Sequence, residues 1–154
     1  MFHLEGEAMP TIEEFAYLAG LVDSEGSVTL LNPGKNKYRV PVISMASTDK
    51  EIIDYIHGLF GGTTCGSKPR NGNKPQWCWR INQGSALSLL ENIIPFLQHT
   101  EKKRRTSLLL TKYKALTITP VRAYSANDHK QRKDFEREFF TDSNGNLSTR
   151  VTLT

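Results

Sequence analysis

The chain lacks the features that define several large protein classes. Its 154 residues include only 2 cysteines, too few for a disulfide scaffold. Its 4 histidines, His3, His57, His99 and His129, have no paired zinc-ligand spacing and no cysteine in register with them. No apolar run approaches the ~20 residues needed to cross a bilayer, so a membrane role has no support. The opening MFHLEGEAMP has neither a basic n-region nor an apolar h-region. An intracellular, reducing setting is therefore expected, with Cys65 and Cys78 as free thiols; an organellar host compartment and a bacterial or phage one are equally open. No low-complexity linker interrupts the first 116 residues, so one domain over 1–154 is expected. Acidic residues are outnumbered, 16 against 20 basic ones, for a formal charge of +4 and a pI near 9.1. That balance favours an anionic partner without naming it.

What is present comes in a definite order. Thr11-Ile12-Glu13-Glu14 reads as a capping box that starts a helix, continued by Phe15, Leu18, Ala19 and Val22 at helical spacing. Gly26, free of side-chain penalty for unusual dihedrals, suits the exit. A strand over Ser27–Leu31, a turn at Asn32–Asn36 and a strand from Tyr38 to about Ser47 form a hairpin. Thr48 or Asp49 can cap a second helix that carries Ile52, Ile53, Ile56, Leu59 and Phe60 and ends at Gly61-Gly62. The pattern then repeats, with strands over Thr63–Ser67 and Gln76–Asn82, in which Trp77, Trp79 and Ile81 alternate with polar neighbours. That alternation favours core packing of the tryptophans over base stacking. A third helix spans about Ser85–Ile94, and Pro95 breaks it. A fourth spans about Glu101–Ala115 and opens with Lys102-Lys103-Arg104-Arg105. A mixed-charge helix over about Ala126–Phe140 precedes a Gly/Ser/Thr-rich end expected to be partly mobile. An α-β-β-α-β-β-α-α order predicts an α+β fold: one four-stranded antiparallel sheet, helices on its apolar face, the other face wet.

The stretch LAGLVDSEGS, Leu18–Ser27, runs from small helical residues into two acids. Ala19 and Gly20 allow two such helices to approach closely. Asp23 and Glu25, just past that seam, would be delivered to a symmetry axis from both sides, an oxygen cluster suited to a hard divalent cation. Ser24 has no histidine placed to act as a triad base, so a serine hydrolase has no support.

LAGLVDSEG resembles the signature of the LAGLIDADG homing endonucleases, differing at Val22, Ser24 and Glu25, and the order of elements over about residues 11–116 matches the family's αββαββα core with its saddle-shaped sheet. The resemblance implies a site-specific endonuclease that makes double-strand breaks in a long, near-palindromic DNA target by metal-dependent phosphodiester hydrolysis. It also implies cleavage across the minor groove, leaving short 3′ overhangs. It implies Mg²⁺ as cofactor, with Mn²⁺ able to substitute. A single motif copy implies a homodimer, with Tyr17, Gly20, Leu21 and Ser24 on the shared helix face.

Carried over by position, Glu25 matches the metal-binding catalytic carboxylate, and the Ser24 carbonyl is an additional ligand. Asp23 matches the first acid, in a supporting, structural role. Lys102 is the candidate for the basic residue near the scissile phosphate, with Lys103 in competition. Ser47 falls where the family often has a water-positioning side chain, although Ser is shorter than the Gln of some members.

DNA contacts are expected on the polar sheet face, from Thr29, Leu31, Tyr38, Val40, Val42, Ser44, Lys68, Arg70, Gln76, Cys78 and Arg80, with Lys103 and Arg104 near the backbone. The parity of the third strand stays open. A strict turn at Asn71-Gly72 would set Cys65 opposite Cys78 and put Ser67 rather than Lys68 on that face, while Pro69 and Pro75 favour a longer loop. Two other readings remain, an RNA-splicing maturase that binds intron RNA and a non-cleaving DNA-binding protein on the same scaffold. The host element, intron or intein, is not fixed by the residues.

Overall fold

A computed structural model describes residues 8–32, 34, 38–69, 71–117 and 125–148. Helix α1 (Ile12–Glu25) begins at the anticipated capping box: Thr11 Oγ1 accepts from the Glu14 amide at 3.2 Å, and Glu14 Oε1 accepts from the Thr11 amide at 3.1 Å. Its inward face is Phe15, Leu18, Ala19 and Val22, all buried. The helix runs without a loop into β1 (Gly26–Leu31). Gly26 is extended, at φ −94° and ψ 177°, so conformational freedom is not why glycine stands there. A Cβ at this position would lie 2.7 Å from Val22 Cα and 3.3 Å from the Ser44 carbonyl oxygen. Close passage of helix end and neighbouring strand is the reason.

Strand β2 (Val40–Ser47), helix α2 (Lys50–Phe60), and strands β3 (Thr63–Ser67) and β4 (Gln76–Asn82) follow. Tyr38 therefore lies before β2 rather than within it. Asp49, not Thr48, caps α2 by accepting from the Glu51 amide at 3.1 Å. Gly61 and Gly62 leave that helix at φ 74° and 84°, a region that favours glycine. The sheet is antiparallel throughout, in the order β1-β2-β4-β3. Both hairpins thus pair through their second strands, and their tips lie at opposite ends of the sheet.

The register sorts the side chains into two faces. Val28, Leu30, Ile43, Met45, Trp79 and Ile81 are buried toward the helices. Trp79, fully buried, donates from Nε1 to the Gly61 carbonyl at 2.7 Å; Trp77 packs on the same core, partly buried.

Helix α3 (Gln83–Ile93) starts two residues earlier than the sequence indicates, and Pro95 sits in a 3₁₀ turn, Ile94–Phe96. Helix α4 (Thr100–Leu108) passes through a π-helical segment, Leu109–Tyr113, into α5 (Lys114–Thr117). Helix α6 (Ala126–Phe140) has the expected bounds and its own capping box, Ser125 with Asp128. Its Phe135, Phe139 and Phe140 join the core formed by the sheet and the other helices. The end expected to be mobile is folded as far as residue 148. Thr141 bridges Leu147, and the Ser148 amide donates to the Phe140 carbonyl at 3.0 Å.

Candidate functional site

The end of α1 turns its two acids in different directions. Asp23 faces the protein. Its Oδ2 accepts from the Gln98 amide at 2.8 Å and its Oδ1 from the His99 amide at 3.1 Å, just ahead of the first turn of α4. The Asp23 carboxylate thereby satisfies amides that the helix start would leave open. Lys102 returns the contact. Its Nζ donates to the Val22 and Asp23 carbonyls, both at 2.7 Å, neutralising the negative end of α1. Burial pulls the Lys102 pKa down, and the Asp23 charge partly restores it. The two residues interlock the C-terminus of α1 with the N-terminus of α4. Asp23 and Lys102 are thus both engaged within the chain, Lys102 with backbone carbonyls instead of open to a phosphate. Its neighbour Lys103 is exposed.

Glu25 is free of that clamp. It is the last residue of α1, exposed, and stands at the rim of a groove of about 490 Å³. The groove lies on the polar sheet face and is lined also by Ser27, Ser44, Thr63, Cys65, Cys78 and Arg80. Among the described residues no group of three or more His, Cys, Asp and Glu could hold a metal. The donors at this spot are a solvent-facing carboxylate and, one residue before it, the Ser24 carbonyl at a helix C-terminus. Both are hard oxygen donors in a negative local field, a set that fits a hard divalent cation but is too small to enclose one.

The register resolves the parity of the third strand. Cys65 lies opposite Cys78 and Ser67 opposite Gln76. Asn71 and Gly72 hold φ 52° and 77°, the positive values of a tight hairpin turn. Pairing stops at Ser67 and Gln76, so a loop of 68–75 forms, as its prolines indicate, with the parity of the two-residue turn. Lys68 is therefore an exposed loop residue outside the strand row, and Thr63 and Cys65 share the face instead. Arg70 lies outside the described residues.

Several further expectations are corrected by packing. Cys65 and Cys78, with Cα atoms 5.2 Å apart, are joined as a disulfide rather than standing as free thiols. Cys78 then has no thiol to offer a base. Val42 is buried to 3% exposure despite its position on the polar face, so it presents almost no surface. The Tyr38 hydroxyl hydrogen-bonds His129 Nδ1 of α6 and the Arg132 guanidinium lies 4.6 Å over its ring, placing Tyr38 in a tertiary contact.

Arg104 is also committed to the protein. It pairs with Glu101 at 3.0 Å and donates to the Glu138 and Phe139 carbonyls, clamping α4 to the end of α6. Ser47 faces the helix side of the sheet, and its Oγ accepts from the Asp49 amide at 3.0 Å. Thr29, Leu31, Val40, Ser44, Gln76 and Arg80 keep the expected polar-face positions. Sequence reasoning missed Thr63 and Asn82 on that face, although Asn82 follows from the alternation Gln76, Cys78, Arg80.

On α1, Tyr17, Gly20 and Ser24 form an exposed line, with Leu21 half-buried beside it. A Cβ at Gly20 would meet nothing within 4 Å. Ser24 Oγ folds back onto the Gly20 and Leu21 carbonyls at 3.1 and 3.3 Å. Tyr17 stacks edge-on with Tyr55 of α2 at 5.7 Å, and Ile12 is 69% exposed.

A family model described as LAGLIDADG endonuclease matches residues 18–117, from the first residue of the motif through α5. The chain belongs to the LAGLIDADG endonuclease family. A Saccharomyces cerevisiae protein, "Intron-encoded DNA endonuclease aI3", is 32% identical over 90 residues, which make up 56% of this chain and 21% of the relative. The chain spans about a fifth of that relative's length. Among solved structures, the archaeal intron-encoded homing endonuclease I-Vdi141I, complexed with DNA, superposes with a TM-score of 0.60 at 14% identity, covering 82% of each chain. The LAGLIDADG homing endonuclease I-GzeII, in complex with a DNA target, gives 0.58 at 13% identity, over 96% of this chain and 53% of that one. At these identities the superpositions establish the LAGLIDADG fold. The match to the family model ends at residue 117, so α6 lies beyond it.

Proposed function

We propose that this chain is a site-specific DNA endonuclease that works as a homodimer and hydrolyses phosphodiester bonds with Mg²⁺ bound through Glu25. The observation that carries the reading is the placement of Glu25. It is the one acid of the motif left open, at the rim of a polar groove and next to the exposed helix line of Tyr17, Gly20 and Ser24.

Two copies joined along Tyr17, Gly20 and Ser24 would bring their Glu25 side chains together at the dyad, supplying jointly the ligand set that one chain lacks. A divalent cation, when bound, activates a water and stabilises the charge of the phosphoryl transition state. Glu25 and the Ser24 carbonyl would hold it. The Asp23–Lys102 interlock keeps the helix end that carries them in place, and Mn²⁺ would fit the same hard donors. The open sheet face, with its net positive chain, takes double-stranded DNA along the groove. The DNA endonuclease relative and the DNA-bound neighbours support that partner.

The test is incubation of the purified protein with a randomised duplex library in Mg²⁺, with a Ca²⁺ control, followed by sequencing of new ends. Breaks clustered at a near-palindrome and dependent on Mg²⁺ are expected. Retention of a specific DNA or RNA with no new ends would replace the reading with a maturase or a non-cleaving binder.

A further inference from the structure

One row of side chains crosses all four strands on the open face beside Glu25: Ser27, Ser44, Arg80 and Thr63. Its hydroxyls are already partnered. Ser27 Oγ and Ser44 Oγ hydrogen-bond each other at 2.9 Å, and Thr63 Oγ1 donates to the Arg80 carbonyl at 3.5 Å. The Arg80 guanidinium, by contrast, is exposed and takes part in no hydrogen bond or ion pair among the described residues.

The neighbouring rows sharpen the contrast. Toward the β3–β4 tip come Ala46 and the Cys65–Cys78 disulfide, with no strong donor. Toward the β1–β2 tip come Thr29, the buried Val42 and Asn82. Among the described sheet residues on this face, Arg80 is the single charged side chain.

We infer that Arg80 is a specificity-determining residue that reads guanine at one position of each half-site, close to the cut. The inference rests on the endonuclease reading above. Arginine presents a planar fork that matches the O6 and N7 acceptors of guanine in the major groove, whereas lysine offers a point charge without that geometry. Same-face residues on a strand lie about 6.6–6.8 Å apart, roughly two base-pair steps. Gln76, Arg80 and Asn82 therefore address different base pairs, so Arg80 acts on one column of the target. Dimer symmetry repeats that column once, mirrored about the centre.

The test is selection of bound duplexes from a randomised library in Ca²⁺, using the full chain as wild type, Arg80→Lys and Arg80→Gln, each checked for an unchanged melting temperature. The wild type is expected to enrich guanine about tenfold or more at one mirrored pair of positions. Both variants are expected to lose that preference and keep the others. A uniform loss of affinity with every column intact would make Arg80 a phosphate contact and overturn the inference. So would a wild-type site without a guanine column that responds to Arg80. A wild type that enriches no sequence would remove the endonuclease reading itself, a distinguishable failure.

Discussion

The two sides of the α1 C-terminus differ more than their spacing of two residues would indicate. On the inner side Asp23, Lys102 and Arg104 are all engaged. Asp23 holds the 98–99 amides, Lys102 holds the 22–23 carbonyls, and Arg104 ties α4 to α6. On the outer side Glu25 and Arg80 stand open at one groove. Buried polar groups must be paired to be tolerated, whereas groups that act on a ligand must be left unsatisfied until it arrives. The inner side should therefore be read out in stability and the outer side in DNA chemistry.

Substitutions on the inner side should break that division first if it is wrong. Phe139 is fully buried and stacks edge-on with Phe140 at 5.1 Å. Phe139→Ala should cost about 3–5 kcal/mol in urea unfolding, which would make α6 integral to the fold although the family match stops before it. Lys102→Met removes two charge-assisted hydrogen bonds and should cost about 1.5–3 kcal/mol. A lowered cutting rate at unchanged stability would instead return Lys102 to the chemistry.

Glu101 gives a smaller, pH-dependent effect. The Arg104 side chain, helped by the Ser143 amide, holds its carboxyl below the ordinary value of 4.5. Because the folded value is the lower one, the stabilisation is full above the ordinary value and fades as pH falls through the lowered one. Glu101→Gln should remove about 0.5–1 kcal/mol at neutral pH and flatten the acid limb of the stability profile, measured by thermal melts at pH 3 to 7.

A stability change of the opposite sign is expected on the open helix line. A Cβ at Gly20 meets nothing within 4 Å in the chain, and Gly20→Leu gains about 0.5–1 kcal/mol of helix propensity. It should nevertheless convert a dimer to a monomer in sedimentation. A monomeric wild type would remove the shared seam from the scheme.

How much of this was legible in the sequence follows the range of the interactions. The α1 capping box, the strands β3 and β4 and the bounds of α6 are written in local spacing, and they stand where the sequence puts them. Tyr38 and Arg104 look like DNA contacts in the sequence because their partners on α6, His129, Glu138 and Phe139, lie 91, 34 and 35 residues away. No local pattern reports such pairing. Phe135, Phe139 and Phe140 did carry a signal, an apolar stripe at helical spacing inside a mixed-charge helix. The π-helical segment at Leu109–Tyr113 leaves no such trace, since its residues fit an ordinary helix equally well. The disulfide runs against the free thiols that a reducing setting implies, and its register is one that Pro69 and Pro75 obscure. At the candidate site, the place of Asp23 and Glu25 at the end of α1 is legible from the motif alone. The capture of Lys102 by backbone carbonyls is not, because carbonyl positions belong to the fold.

The most direct measurement takes Glu25→Gln and wild type onto one selected duplex, with binding followed in Ca²⁺ and cutting in Mg²⁺. Glu25 is exposed and outside the clamp, so folding stability should stay within about 0.5 kcal/mol and binding within a few-fold. Cutting should fall by about a hundredfold or more. A variant that cuts at the wild-type rate would contradict the assignment of the metal-binding role to Glu25.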